Sequence, residues 1–210
     1  MAYSVDATTD RCYKGTTCLV NKLDIRDEQK LSEAEAAIVL GKLAMLKKCP
    51  VQGAFDFEHY KKMYDFLFCD LYDWAGQIRD INLSKKGTAF VSADEIDACA
   101  KPCFERLQSF DAEDLSHREL AEEVADFYHT INMLHPFREG NGRVQRAFFE
   151  YWAEERLGYR LDLAAIDADE FMIATIYAAQ GIKDQLVNCF EIMLQPLEMN
   201  MNMEMAMAMF

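Results

Sequence analysis

Residues 135–146 read HPFREGNGRVQR, and this stretch connects one apolar helical pattern to another. Gly140, Asn141 and Gly142 lack bulky side chains, so the backbone there can form a tight turn whose N–H groups point at an anion. The apolar residues that follow recur with helical spacing, at Val144, Ala147, Phe148, Tyr151 and Trp152. The free N–H groups and positive dipole end of such a helix favour a bound phosphate. The stretch therefore predicts a phosphate site between two helices.

Polar side chains in the same stretch supply further parts of a phosphoryl-transfer site. His135 ends the preceding apolar stripe, and a neutral imidazole can act as a general base near neutral pH. Glu139 adjoins the predicted phosphate turn, where one carboxylate and substrate phosphates together can hold Mg²⁺. Asn141 can donate to a phosphoryl oxygen from its side-chain amide and its main-chain N–H. Taken one at a time, His135 also fits the role of a core histidine, Glu139 that of a solvated surface acid and Asn141 that of a turn residue. Their occurrence together in one short stretch favours the chemical interpretation.

Two arginines occupy the first turns of the predicted helix. Arg143 and Arg146 are three residues apart, so they share a side of the helix, and guanidinium forks suit phosphate oxygens. Cations at a helix amino terminus oppose its dipole unless an anion lies there, which favours binding over a purely structural role. Phe137 is predicted to anchor the loop in the core, and Arg138 is predicted to point to solvent.

Composition limits the class of protein. The chain has 210 residues, of which 51% are hydrophobic and 28% charged, as expected for one globular domain. It shows neither an apolar run of membrane-spanning length nor a signal-like amino terminus, so we expect a cytoplasmic protein without membrane contacts. A net charge of −14 disfavours nucleic-acid binding, because counterion release needs a basic surface. Seven cysteines without a Cys-x-x-Cys pair argue against a disulfide framework or a zinc site.

Helical periodicity covers most of the chain. The apolar positions and the Gly, Pro and capping residues between them predict helices at approximately 27–49, 57–72, 93–110, 120–134 and 144–158, with two more between 167 and 194. Alternating apolar positions followed by a turn predict one short β-hairpin near residues 78–91, which includes Ile81, Leu83, Lys85, Lys86 and Gly87. The fold class is therefore all-α with a small hairpin.

The two ends of the chain differ from the predicted central domain, residues 20–196. Residues 1–19 lack periodicity, which predicts an extended or loosely packed arm. Residues 197–210 alternate methionine with polar or small residues, and we predict a disordered tail there.

Residues 135–146 closely resemble the signature of the Fic (Fic/Doc) family, HPFx[D/E]GNGRxxR, with every specified position filled. LYDWAGQIR at 71–79 is similar to the segment before that family's substrate-binding flap, and NKLDI at 21–25 resembles its common start. The resemblance spans roughly residues 20–195. It implies a helical Fic fold in which the hairpin near 78–91 pairs with an extended segment of a target protein.

The resemblance implies an adenylyltransferase that moves AMP from ATP to a Tyr, Thr or Ser hydroxyl of a target protein and releases pyrophosphate. His135 would take the hydroxyl proton. Glu139 would hold Mg²⁺ between the α- and β-phosphates, and residues 140–142 would form the anion hole. Arg143 would bind the β- and γ-phosphates, and Arg146 would bind the γ-phosphate or an inhibitory glutamate.

Regulation and the exact chemistry are left open by the sequence. Many Fic proteins are inhibited by a glutamate in a Ser/Thr-x-x-x-Glu-Gly/Asn helix; the nearest string here, SFDAED at 109–114, departs at its last position and lies mid-chain. We therefore predict inhibition in trans by a small antitoxin-like partner, or none. The alternatives are Doc-like phosphorylation, another transfer such as UMP, and a non-catalytic helical interaction module.

Overall fold

The computed structural model describes residues 11–85 and 87–197. Within these ranges the chain forms seven α-helices: α1 (Glu28–Lys48), α2 (Phe57–Phe68), α3 (Ile96–Gln108), α4 (His117–Leu134), α5 (Asn141–Trp152), α6 (Ala168–Ala179) and α7 (Asp184–Met193). The predicted all-α class is confirmed. Lys86, the first half of the predicted arm and the methionine-rich tail from residue 198 lie outside the described residues.

Capping residues begin several helices. Asp27 accepts a hydrogen bond from the Lys30 N–H at the start of α1, where the sequence predicts a helix to begin. Ser116 and Glu119 form a capping box that starts α4 at His117, three residues before the predicted start at residue 120. By contrast, α2 ends at Phe68, four residues before the predicted end. Leu71 and Tyr72 remain buried in the turn that follows. Their apolar side chains continue the helical pattern, although the backbone has left the helix.

The core forms around α4, which packs against α3, α5, α6 and α7. An aromatic cluster beneath the loop between α4 and α5 connects this core to α2. The rings of Tyr64 and Phe137 are stacked with centroids 3.8 Å apart, and Tyr60 meets Phe148 edge to face at 5.1 Å. Phe137 is fully buried, so its prediction as the anchor of the loop is confirmed.

Two small antiparallel sheets accompany the helices in the described part of the chain. β1 (Ser84–Lys85) pairs with β2 (Thr88–Ala89), which confirms the hairpin. β3 (Tyr159–Leu161) pairs with β4 (Leu194–Pro196), a sheet that the sequence did not predict. Segments of three residues are too short to show a period of two, and their pairing joins distant parts of the chain.

Residues 11–19 do not form the loose arm that we predicted. Cys12 and Leu19 form a β-bridge, and the side chains of Cys18 and Leu19 are buried. The Arg11 guanidinium lies 5.5 Å from the centroid of the Trp74 ring. This segment lacks helical or strand periodicity because it turns back on itself. Its residues Cys18 and Leu19 nevertheless pack into the hydrophobic core. Among the described helices, none has the length and apolar character that crossing a bilayer requires.

Candidate active site

α4 ends at the histidine of the motif. His135 adopts a left-handed backbone conformation (φ 41°, ψ 58°), and its N–H donates to the Ile131 carbonyl. Its ring is stacked on Phe90, which follows β2, with centroids 3.7 Å apart and planes 7° apart. The residue is only 5% exposed, and this burial lowers the pKa of the imidazole to about 3, with the Arg79 charge acting in the same direction. His135 is therefore neutral near pH 7, as a general base must be.

The turn between α4 and α5 is braced by the side chain of Asn141. Its Oδ1 accepts from the Phe137 N–H at 2.8 Å, and its Nδ2 donates to the Phe137 carbonyl at 2.7 Å. The Tyr64 hydroxyl holds the same turn by donating to the Glu139 carbonyl at 2.9 Å. The Asn141 amide thus braces its own loop, and its donation to a phosphoryl oxygen stays a prediction, as does anion binding at 140–142. The main-chain N–H groups at the start of α5 are the other donors that this turn offers to an anion.

Gly140 is required by both its conformation and its packing. Its φ is +77°, and a Cβ at this position would lie 2.3 Å from Cζ of Phe68. Any side chain would therefore strain the backbone and displace a ring from the core. The close approach keeps the predicted phosphate turn, residues 140–142, in contact with α2.

Arg143 lies between two carboxylates and an aromatic ring. Its Nη2 donates to the Glu35 carboxylate of α1 and lies 3.4 Å from Oε1 of Glu139. The centre of its guanidinium is 5.0 Å from the centroid of the Phe68 ring. Glu35 is 7% exposed and also accepts from the Tyr72 hydroxyl. Burial raises the pKa of Glu139, and the nearby Glu35 charge raises it further.

Glu35 was not among the predicted site residues, although the sequence contains a signal for it. Leu31, Glu35 and Val39 are spaced four residues apart on the buried face of α1. A carboxylate in such a stripe needs a buried partner, because an unpaired buried charge is strongly disfavoured. That reasoning predicts a cation near Glu35 but not which one.

A cavity of about 170 Å³ opens beside the motif. On one side it is lined by His135, Gly142 and Arg146. The other walls come from β1, β2 and the residue after β2, from α4 and from α6: Lys85, Thr88, Phe90, Tyr128, Asn132, Ala168, Phe171, Met172, Thr175, Ile176 and Ala179. The apolar α6 wall faces a phosphate turn and a guanidinium, so the cavity suits a ligand with an apolar ring system and an anionic group.

The contribution of α6 was also missed. Its sequence, ADEFMIATIYAA, is apolar on most sides rather than in one stripe. A helix of this kind is typical of a buried element, but here one part of its surface faces the cavity. Composition alone cannot distinguish these two situations.

One predicted position differs from the structure, and the structure adds detail at another. Leu83, part of the predicted target-binding hairpin, has a buried side chain, and its carbonyl accepts from the Phe90 N–H. Arg138 was predicted to point to solvent and is buried, because the adjacent Phe137 draws the loop down onto the bundle. Of the other predicted flap residues, Lys85 lines the cavity, Ile81 is partly buried and Gly87 takes a positive φ of 82° in the turn.

A divalent cation fits this site only as a partner of a phosphate ligand. No group of three or more His, Cys, Asp or Glu side chains that could hold a metal occurs in the described ranges. Glu139 offers one carboxylate, whose Oε1 accepts from the Gly140 N–H at 2.9 Å. Mg²⁺ commonly takes one or two carboxylates, with substrate phosphates and water completing its shell. Glu139 is suited to that arrangement.

Comparison with known proteins identifies the class to which this fold and site correspond. The model of the Fic/DOC family matches residues 54–153. Probable protein adenylyltransferase y4lH of Sinorhizobium fredii is 33% identical over 172 residues, which is 81% of this chain and 88% of that protein. Protein adenylyltransferase VbhT of Bartonella schoenbuchensis is 31% identical over 80% of this chain, but the match covers only 35% of VbhT. The chain belongs to the Fic/DOC family.

Solved structures agree with this assignment. BepC from Bartonella tribocorum with bound AMPPNP has a TM-score of 0.82 and 30% identity, and the match covers 90% of this chain and 97% of that one. An amino-terminal Fic domain from Bartonella quintana with bound ADP has a TM-score of 0.84 and 27% identity, with 90% and 96% covered. The predicted Fic fold is confirmed.

Proposed function

We propose that this chain is a protein adenylyltransferase, which transfers AMP from ATP to a Tyr, Thr or Ser hydroxyl of a target protein and releases pyrophosphate. The observation that carries the proposal is the neutral, buried His135 at the edge of a cavity that also contains Gly142 and Arg146. Relatives that share 30% to 33% identity are named protein adenylyltransferase or probable protein adenylyltransferase, which supports the same activity.

The nucleotide would occupy the cavity with its polar and apolar parts in matching surroundings. Its phosphates would bind the N–H groups of 140–142 and the guanidinium of Arg146, while the adenosine would lie against the apolar wall of α6. Arg143 would reach the distal phosphates while it remains fixed by Glu35. Mg²⁺, held by Glu139 and the phosphates, would offset charge on the transferring group.

In the transfer step the target hydroxyl lies beside the imidazole of His135. A ring nitrogen of His135 takes the hydroxyl proton as the oxygen forms a bond to the α-phosphorus. The bond from the α-phosphorus to the oxygen that bridges to the β-phosphate breaks, and pyrophosphate leaves with that electron pair. Main-chain N–H groups of 140–142 stabilise the charge that builds on the α-phosphoryl oxygens.

The proposal includes a protein target at the flap and an inhibitor that acts in trans. β1 and β2 form a sheet of only two strands, and an extended target segment would add to its outer edge. Arg146 lines the open cavity, where a carboxylate from a small antitoxin-like partner could bind it in place of phosphate. We further propose a cytoplasmic toxin–antitoxin role, in which this partner sets the activity.

Labelling with two forms of ATP tests the chemistry. The purified chain is incubated with cell lysate and either α-³²P-ATP or γ-³²P-ATP, with His135→Ala as the control. We expect protein bands from the α label alone, and none with the variant. Bands from the γ label alone would indicate phosphorylation instead. No band from either label, after any co-purified inhibitor has been removed, would favour a non-catalytic interaction module.

A further inference from the structure

A buried arginine outside the motif connects the flap to the end of α4. Arg79 is 2% exposed, and its guanidinium donates to four main-chain carbonyls in the described part of the chain. Nε donates to the carbonyl of His135 at 2.8 Å, and Nη1 to that of Ile81 at 2.6 Å. Nη2 donates to the carbonyl of Val91 and lies 3.4 Å from that of Leu134. One side chain thus bonds to both ends of the flap, residues 81–91, and to the catalytic histidine.

Main-chain hydrogen bonds join the same two regions, the flap and the end of α4. The Arg79 N–H donates to the Pro136 carbonyl at 2.8 Å, and the Val91 N–H donates to the Met133 carbonyl at 3.0 Å. Each end of the flap is therefore tied to the junction of α4 and the motif. Arg79 occupies the centre of this junction.

The chemistry of arginine suits this place better than that of an apolar residue. Burial lowers the pKa of Arg79 to about 10, so the side chain still carries its charge near neutral pH. Burying a charge is destabilising because the charge loses its hydration. The carbonyl end of α4 is the negative end of a helix dipole, and it offsets part of this desolvation penalty. The guanidinium is a rigid, planar fork of donors, so it fixes the directions of several carbonyls relative to one another.

We propose that Arg79 is a positioning residue that sets the flap at a fixed distance from His135, so that a hydroxyl on a flap-bound segment meets the imidazole. The inference rests on the proposed AMP transfer. Phe90 of the flap stacks on the ring of His135 with centroids 3.7 Å apart, so a shift of the flap would also move a ring that contacts the imidazole. A displacement of about 1 Å between reacting groups reduces rates by roughly 10²-fold.

The principal test replaces Arg79 by lysine. Arg79→Lys keeps the charge but has a single donor nitrogen, which cannot reach carbonyls on three segments. The matched control is Arg118→Lys, at the opposite end of α4. Arg118 donates to Glu122, Asn188 and Glu191, none of which contributes to the cavity. Binding of AMPPNP is measured by calorimetry, and transfer by α-³²P labelling of lysate proteins.

We expect Arg79→Lys to slow labelling by about tenfold or more, with AMPPNP affinity within about twofold of the parent chain. Arg118→Lys should change neither quantity by more than about twofold. Labelling by Arg79→Lys at the parent rate would overturn the proposal. A loss of AMPPNP binding as large as the loss of labelling would also overturn it, because the residue would then act on the whole site. If Arg79→Lys does not fold, Arg79→Gln is tested with the same expectations.

Amide hydrogen exchange supplies a measurement that needs no activity. The Val91 amide should exchange faster in Arg79→Lys than in the parent chain, while amides in the middle of α7 keep their rates. Unchanged exchange at Val91 contradicts the proposal even if labelling falls. A different result is faster exchange at Val91 in Arg79→Lys together with no labelling by the parent chain. It would support the connection between Arg79 and the flap and reject the proposed AMP transfer.

Discussion

Arg143 and Arg146 lie one helical turn apart at the start of α5 but have different surroundings. Arg143 contacts the buried carboxylate of Glu35 and the ring of Phe68, and Glu139 lies within 3.4 Å. Arg146 lines the open cavity. We infer that the first arginine mainly fixes the shape of the phosphate turn, since its charge is offset before any ligand binds. The second, which hydrogen-bonds the Tyr128 side chain, is the one that we propose to supply positive charge to the ligand.

The largest expected effect is on stability, from the replacement of Arg143. Arg143→Ala leaves the Glu35 carboxylate buried without its cation, which should lower the free energy of unfolding by about 3 kcal/mol. Arg146→Ala, the matched control, should lower it by less than about 1 kcal/mol because the cavity is open. Urea denaturation of the two variants measures both values. Equal losses would show that the two arginines have the same structural role.

For nucleotide affinity, we expect the replacement of Arg146 to have a larger effect than the replacement of Arg143, the reverse of the order for stability. Arg146→Ala removes a proposed charge-assisted hydrogen bond to phosphate worth about 2 kcal/mol, so AMPPNP affinity should fall by roughly 30-fold. Calorimetry at a fixed Mg²⁺ concentration measures the change. The comparison fails if a folded Arg143 variant, such as Arg143→Lys, loses more affinity than Arg146→Lys does.

The pH dependence of stability tests the buried histidine on the cavity side. Because the pKa of His135 is lowered from 6.5 to about 3, the unfolded chain takes up a proton below pH 6.5 and the folded chain does not. Its contribution to stability is therefore complete above pH 6.5 and is lost as the pH falls towards 3, at about 1.4 kcal/mol per pH unit.

Denaturation of the parent chain and of His135→Asn between pH 7.5 and 5 would measure this contribution. The difference in unfolding free energy between them should change with pH in the stated direction. A constant difference would mean that His135 titrates alike in the folded and unfolded chains. Catalysis should show no loss from protonation of His135 down to pH 5.

The smallest expected effect comes from Glu35→Gln, which keeps the shape of the residue but removes its charge. The potential at the phosphate turn becomes more positive, so AMPPNP affinity should rise by about threefold through a weak Coulomb term. Calorimetry of Glu35→Gln beside Glu33→Gln, an exposed glutamate two residues earlier on α1, isolates the effect. A fall in affinity for the Glu35 variant alone would instead assign Glu35 a purely orienting role for Arg143.

The flap marks the limit of prediction from local sequence. The turn residues and alternating apolar positions correctly predicted a hairpin, but not that Leu83 would be buried. Alternation places side chains on opposite faces of a strand without showing which face meets the core. Asn141 is a similar case, because a turn asparagine can bind a ligand or brace its own loop, and here its side chain bonds to Phe137.

Local sequence was enough to predict the order of the helices, the glycine turn and the chemical types gathered in residues 135–146, since each depends on neighbours along the chain. The contact of Glu35 with Arg143, the cavity wall formed by α6 and the hydrogen bonds from Arg79 to the flap and His135 arise from the tertiary fold alone. These contacts join segments far apart in sequence. Their partners are selected by how the helices pack, which no local pattern of residues specifies.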